Sequence, residues 1–437
     1  MMEQKKKKKK SGNYLKIKEK KKFNWNLFFL VFLYIQPILD VSFALSTNYL
    51  QFPISLNTIV RMLFLLFGGI YLLFINKDKK IKWYVIILSL YCLAFGINIF
   101  IFKRGVLFYE IKNMLSTFFF PIALLFVYHA FKENKILIKE KHFLNLLLIY
   151  LGLILIPNIL GIGFLSYAYS KSGFIGWFYS ANAISSILII LLPISLINFN
   201  SKKDIWKFII FFSIILYVFS SIGTKSPLLG LAVLLFGLII WVIVKLFHQK
   251  KYKNLLILGL TLLIGLVMSF IIIPKTNFYK NIKLHMTYFD IYTINDIFSS
   301  NKFVYQIIFS ERLDFLEVTK NNYKESSIND KIFGIGYVEN YRKANENLKT
   351  IEIDYFDIYY RHGVIGFVLF FLPLIYIFRR LVTIFKKIDI KKYLYVISVF
   401  LSFLLAFFSG HVLISPAVGI LVIYILVNLY ERSTQYE

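Results

Sequence analysis

Negative charge is scarce in this chain. The sequence has 23 Asp and Glu against 51 Lys and Arg, and charged residues make up only 17% of its 437 positions. Soluble domains average about 25% charged residues, so an ordinary water-soluble globule is excluded. Twelve of the 23 carboxylates fall between Pro274 and Ile358, which leaves the rest of the chain nearly bare of them. Cys92 is the single cysteine, which excludes disulfides within the chain and zinc sites built from several thiolates. There is no Gly-x4-Gly-Lys-(Ser/Thr), His-Glu-x-x-His, Cys-x-x-Cys or Asp-x-Asp sequence. P-loop ATP hydrolysis, zinc hydrolysis and metal-bound nucleotide-sugar chemistry thus lack their usual carriers, and no cofactor or metal is expected.

What is abundant is apolar: 58% of residues are hydrophobic and 19% aromatic, with a mean hydropathy of +0.67. Apolar runs long enough to cross a hydrocarbon core of roughly 30 Å recur throughout. Their backbone groups must bond within each segment, so they are read as helices; the alternating polarity of barrel strands is missing. The spans are Trp25–Ala44, Asn57–Ile75, Trp83–Phe102, Asn113–Phe131, Phe143–Leu160, Ala181–Phe199, Phe208–Ile222, Leu228–Phe247, Leu255–Ile273, Tyr359–Phe378, Tyr393–Ser409 and Val412–Tyr430. The expected fold is an all-α polytopic membrane protein of about 12 transmembrane helices, with one large extracytoplasmic loop between helices 9 and 10.

Positive charge alternates along the connections. Lys77, Lys79, Lys80 and Lys82 crowd the second, Lys132, Lys135, Lys139 and Lys141 the fourth, and each later even connection is basic as well. The first odd connection, Ser46–Leu56, carries no charge. The positive-inside bias therefore puts both termini in the cytoplasm and the protein in the plasma membrane. The net charge of +28 is read as contact with anionic lipid, not nucleic acid, because the lysines cluster in short loops of one face. The organisation expected is a basic cytosolic tail (1–24), transmembrane helices 1–9 (25–273), an extracytoplasmic cap loop (274–358), helices 10–12 (359–430) and a cytosolic tail (431–437). A structureless loop of the cap's length is improbable; it is expected to hold one or two helices, one over Asp296–Lys320, and a turn at Phe333–Tyr337.

A few ionisable residues stand on the outward side. Arg61 lies inside the second span with Asp40 as a candidate partner, since a charge in a span pairs or serves function. Arg104 and Lys112 border the third connection, Lys225 the tight turn Ile222–Pro227, Arg312 lies in the cap, and His411 in the last outer turn. Together they suit an anionic headgroup, above all a pyrophosphate. Structural alternatives stand beside this: an Arg61–Asp40 ion pair, Arg104 reaching the headgroups, Lys225 at a helix end, and Arg312 paired with Glu311 or Asp314. Glu352 and Asp354 stand where the cap re-enters the membrane, as candidate general bases; Asp354 as a helix N-cap is the alternative. Asp357 and Arg361 have the spacing of a helical ion pair.

These residues resemble the O-antigen ligase and Wzy-type polysaccharide polymerase superfamily of membrane glycosyltransferases. In that family the large outer loop ends in His-Asn-x-Tyr-Leu, followed by Gly-(Ile/Val)-(Ile/Val)-Gly. Here Gly363-Val364-Ile365-Gly366 matches the end, Glu352 falls at the His, Asp354 follows, and Tyr355 matches the Tyr. Gly176–Asn182, Gly223-Thr224-Lys225-Ser226, Arg312, Phe333–Gly336 and Gly410–Pro416 are similar to further family segments in the same order. The resemblance implies a glycan on undecaprenyl pyrophosphate as donor and a sugar hydroxyl as acceptor, with no cofactor. It implies a polymerase of capsular or O-antigen-like repeat units; transfer of the finished glycan by a ligase is the alternative, and a flippase a more distant one. Glu352, Asp354 and Arg312 would be catalytic, and Arg61, Arg104, Lys112, Lys225, Tyr355 and His411 would bind substrate. Membrane lipids and other polysaccharide assembly proteins are the expected partners.

Overall fold

The computed structural model describes residues 23–50, 55–102, 106–167, 172–199, 202–250, 259, 273–288, 291–292, 296, 309–310, 312–338, 350–384 and 388–434. The apolar runs form helices. The first, α1 (Trp25–Leu45), starts where Asn24 Oδ1 accepts the Leu27 N–H at 3.0 Å, occupying a donor that a helix start leaves unpaired. It is followed by α2 (Leu56–Ile70, extended by a π turn to Ile75), α3 (Lys79–Phe102), α4 (Leu107–Asn134), α5 (Glu140–Leu160), α6 (Ala181–Leu196), α7 (Ile205–Ile222) and α8 (Lys225–His248). The long connection contributes α9 (Asn277–Tyr288), α10 (Arg312–Glu325) and α11 (Ile328–Phe333), and α12 (Asp354–Ile384), α13 (Ile390–Phe408) and α14 (Pro416–Thr434) close the chain. Among the described residues 10 helices are long and apolar enough to cross a membrane, and α6 is a shorter apolar helix. The protein is a polytopic, helical membrane protein. Among the described residues an antiparallel hairpin of β1 (Phe164–Leu165) and β2 (Phe174–Gly176) lies in the fifth connection. The expected ninth span, Leu255–Ile273, lies almost wholly outside the described residues, as do Arg104 and most of the N-terminal tail.

Lipid tails are as apolar as a protein core, so association of these helices rests on close packing and buried polar bonds. α4, α6 and α14 form the centre: Phe126, Phe131, Leu188, Ile190 and Tyr424 are completely buried. α14 packs on α4 and α6, while α5 and α13 flank α6. α3 lies outside, with Trp83, Leu90, Leu93 and Ile97 exposed along one side at helical spacing, as a lipid-facing stripe requires.

Side-chain contacts gather the connections into two ends. At the Lys-rich end Tyr71 bonds Glu133, Arg380 donates to the Tyr128 hydroxyl at 3.3 Å, and Arg432 pairs with Glu140 at 2.5 Å. At the other end Ser166 Oγ donates to Ile222 O at 2.7 Å, Asn281 Nδ2 to Gly223 O at 2.9 Å, and Lys225 Nζ to Ser310 Oγ at 3.0 Å. The fifth, seventh and ninth connections therefore share one end.

Several elements differ from expectation; α4 starts at Leu107, six residues ahead of the expected span, and the last helix starts at Pro416, four residues after it. α12 begins at Asp354, ahead of Tyr359, because Asp354, Asp357, Arg361 and His362 lower the hydropathy of a stretch that is nonetheless helical. That first part ends in a kink at Gly363, φ 63° and ψ −172°, where an added Cβ would lie 2.4 Å from Ile332 O, so α11 packs on bare backbone. The cap helix expected over Asp296–Lys320 is described only from Arg312, and it runs on to Glu325. The cap also holds α9, which no apolar stripe announces: its buried residue is Asn281, which accepts from Ser172 N at 2.9 Å and donates to Gly223 O.

Candidate active site

A cavity of about 410 Å³ opens among the starts of α2, α4, α6 and α14 and the C-terminal end of α1. Three of the residues singled out in the sequence line it, Arg61, Lys112 and His411, together with Asp40. Arg61 is 5% exposed. Its Nη2 donates to Asp40 Oδ1 at 2.6 Å and to Gln36 Oε1 at 2.9 Å, and its Nε reaches Gln36 Oε1 at 3.2 Å. Tyr150 holds the other Asp40 oxygen at 3.0 Å. One edge of the guanidinium is thus fixed by protein, and among the described residues Nη1 is left uncommitted in a cavity-lining residue. Lys112, one turn into α4, has no hydrogen bond or ion pair among the described residues. Two cations with free donors in one pocket can bind a polyanion.

At the rim stands a second cluster. Arg312, at the start of α10, donates to Glu352 Oε2 at 2.8 Å, to Phe408 O at 2.9 Å and to Ser409 O at 3.3 Å. It thereby fastens α10 to the turn between α13 and α14. The other Glu352 oxygen lies 3.9 Å from His411 Nε2. Burial opposes the charge on Glu352, but the His411 imidazole and the Arg312 guanidinium outweigh it and hold its carboxyl down at about 2. For His411, burial disfavours the cation, and Glu352, Asp354 and Asp357 together outweigh burial, so its pKa is raised.

Buried carboxylates set the backbone around this cluster. Asp354 is fully buried, and its oxygens accept the N–H groups of His411 (2.6 Å), Val412 (2.9 Å) and Leu413 (2.6 Å). It binds across to another loop instead of capping its own helix. Asp357 accepts from Ile351 N at 3.0 Å and Glu352 N at 2.9 Å, and lies 3.7 Å from Arg361 Nε. Glu110 takes the N–H groups of Tyr337 and Val338 at 2.8–2.9 Å, which seats the Gly334–Gly336 turn. Tyr337 then lines the cavity, its hydroxyl 2.7 Å from Thr117 Oγ1 and 2.8 Å from His362 Nε2. Gln36, Glu110, Tyr150 and Tyr337 were not foreseen. Gln36 has a readable signal, one helical turn before Asp40 in an apolar run, and Glu110 stands beside the cations of the third connection.

Other foreseen residues fall elsewhere. Tyr355 does not line the cavity: its ring stacks on Phe371 at 5.8 Å and its hydroxyl donates to Phe403 O at 3.2 Å. Lys225 lies in a separate small cleft beside Gly223 and Asn281, with Ser310 as a partner. Glu352 and Asp354 stand behind His411 and are not part of the cavity wall, and Asp354 is engaged by three backbone donors.

A model of the family described as "O-antigen ligase like membrane protein" matches residues 20–301 and 295–431 of this chain. No curated protein and no solved structure matches it. The matched ranges take in both the Arg61–Lys112 cavity and the Arg312–Glu352–His411 rim, and the chain belongs to the O-antigen-ligase-like family of membrane proteins.

Proposed function

We propose that this protein is a glycosyltransferase that extends a surface polysaccharide at the outer face of the plasma membrane. The donor is a glycan on undecaprenyl pyrophosphate, and the acceptor is a sugar hydroxyl of another lipid-linked repeat unit. The observation that carries the reading is the pairing in one cavity of Arg61, with Nη1 uncommitted, and Lys112, with no partner among the described residues. The bond that breaks leaves its electron pair on a pyrophosphate, and preorganised cations placed where that charge develops are worth several kcal/mol, on the order of 100-fold or more in rate for one donor. A cavity of about 410 Å³ is the size of a small-ligand site, with room for the reacting sugar and its phosphates. Fixed cations take over the role that a metal plays for nucleotide sugars, so the reading includes no metal.

Sidedness and product test this reading. In a Cys92→Ser background, Cys placed at the exposed Ser327 is expected to react with an impermeant maleimide in intact cells. Cells lacking the protein are expected to display single repeat units and no long polymer. Long chains retained on the lipid carrier would instead indicate a ligase, and unchanged glycan would remove the reading.

A further inference from the structure

We infer that His411 is the general base that takes the proton of the acceptor hydroxyl, with Glu352 and Asp354 as its positioning residues; this rests on the glycan-transfer reading above. The argument is one of access. His411 alone of these three lines the cavity. Its Nε2 points toward Glu352 Oε1 at 3.9 Å, and no hydrogen bond engages Nδ1 among the described residues. A carboxylate on the Nε2 side favours the tautomer with its proton there and leaves the lone pair on Nδ1, as when a catalytic base is oriented by a third group. Glu352 itself is committed to Arg312 at 2.8 Å. Asp354 holds three backbone N–H groups, the first of them that of His411 at 2.6 Å. Glu352 is as exposed as His411, but neither carboxylate lines the cavity, and Asp354 is fully buried.

The backbone is arranged for this. His411 adopts φ 55° and Glu352 φ 59°, a left-handed conformation that costs a non-glycine residue energy and tends to persist at functional sites. Gly410, at φ 63°, would place an added Cβ 2.3 Å from Glu352 O, so the two segments touch through bare backbone. In the step proposed, Nδ1 takes the hydroxyl proton as the acceptor oxygen bonds to the anomeric carbon. The bond from that carbon to the pyrophosphate oxygen breaks and its electron pair leaves with the phosphate. The imidazolium is stabilised by Glu352 and returns its proton to solvent.

The groups that set the titration of His411 are Glu352, Asp354 and Asp357 beside it, and Arg312 acting through Glu352. Asp40, Arg61 and Lys112 face it across the cavity. Removing the Glu352 charge by Glu352→Gln should lower the His411 pKa. The acid limb of the pH–rate profile should then move to lower pH, a shift that loss of a merely structural contact would not produce.

The test uses cell envelopes containing the full-length protein and their own lipid-linked repeat units, with polymer formed per minute as the readout. Asn tolerates left-handed backbone, so His411→Asn keeps the turn while removing the base. The expected results are a fall of 100-fold or more for His411→Asn and a downward-shifted acid limb for Glu352→Gln. A His411→Asn rate above a tenth of wild type, or an acid limb that Glu352→Gln leaves in place, overturns the assignment. Should His411→Asn fail to fold, the Glu352→Gln profile still decides. If wild-type envelopes make no polymer at all, it is the glycan-transfer reading that fails.

Discussion

Glu352 and His411 come from segments on opposite sides of α12 and α13, yet both adopt left-handed backbone, φ 59° and 55°, and their side chains meet at 3.9 Å. Two non-glycine residues in that region cost about 1–3 kcal/mol each. The structure retains them because Asp357 holds the Glu352 N–H and Asp354 holds that of His411.

The pair contributes to the pH dependence of stability. The Glu352 carboxyl falls from 4.5 to about 2 on folding, so its contribution is present above pH 4.5 and fades as pH drops toward 2. The His411 pKa rises above 6.5, so its contribution is complete below pH 6.5 and is lost as pH climbs through the folded value. The contribution of this pair to the unfolding temperature in detergent should therefore be greatest between about pH 4.5 and 6.5, and His411→Asn should flatten the alkaline decline. An alkaline decline that persists in the variant would assign it to other groups.

Arg312 serves three acceptors with one planar fork: Glu352, Phe408 O and Ser409 O. A lysine keeps the charge but cannot reproduce that geometry. Arg312→Lys should lower stability by about 2 kcal/mol, the scale of losing hydrogen bonds to a charged group, and should release the 409–415 turn. Hydrogen exchange at Val412 and Leu413 checks this: faster exchange in the variant is expected, and unchanged protection would show that Asp354 alone holds the turn.

How much of this was legible in the sequence depends on the kind of partner each residue has. Arg61 and Asp40 stood out because charges in apolar runs are rare, and their depth near the same ends of two spans predicted the pair now seen at 2.6 Å. The spans were legible for the same reason, except where polar side chains face protein: the start of α12 reads as loop, since Asp354, Asp357, Arg361 and His362 are buried there. The carboxylate clamps were illegible. A carboxylate that binds backbone N–H groups needs no particular residue type opposite it, so Glu110 on Tyr337 and Asp354 on His411 leave no pattern in the chain. His411 looked like a substrate contact, and its standing beside Glu352 follows only from the tertiary fold.

The Glu110 clamp predicts a separable defect. Both carboxylate oxygens accept backbone N–H groups, and the residue is fully buried. An amide can accept on one side only, so Glu110→Gln would oppose a donor to a donor. The expected cost is about 1–3 kcal/mol, with Tyr337 displaced from the cavity wall. Trypsin should cut after Lys331 faster in the variant, and equal cleavage rates would count against the clamp.

Lys112 and Arg61 line the same cavity but differ in what holds them, and that difference allows binding to be told from folding. Lys112 has no partner among the described residues, so Lys112→Met should leave stability within about 0.5 kcal/mol. If it neutralises the leaving pyrophosphate, transfer should still fall about 100-fold. Arg61→Met removes the Asp40 and Gln36 bonds and strands a carboxylate only 12% exposed, at a cost of about 3–5 kcal/mol. Its loss of transfer would by itself say nothing about chemistry. Adding Asp40→Asn to Arg61→Met should recover part of the stability and none of the activity. A Lys112→Met protein that transfers at the wild-type rate would leave Arg61 as the sole phosphate ligand of the cavity, and a double variant that regains transfer would take even that role away.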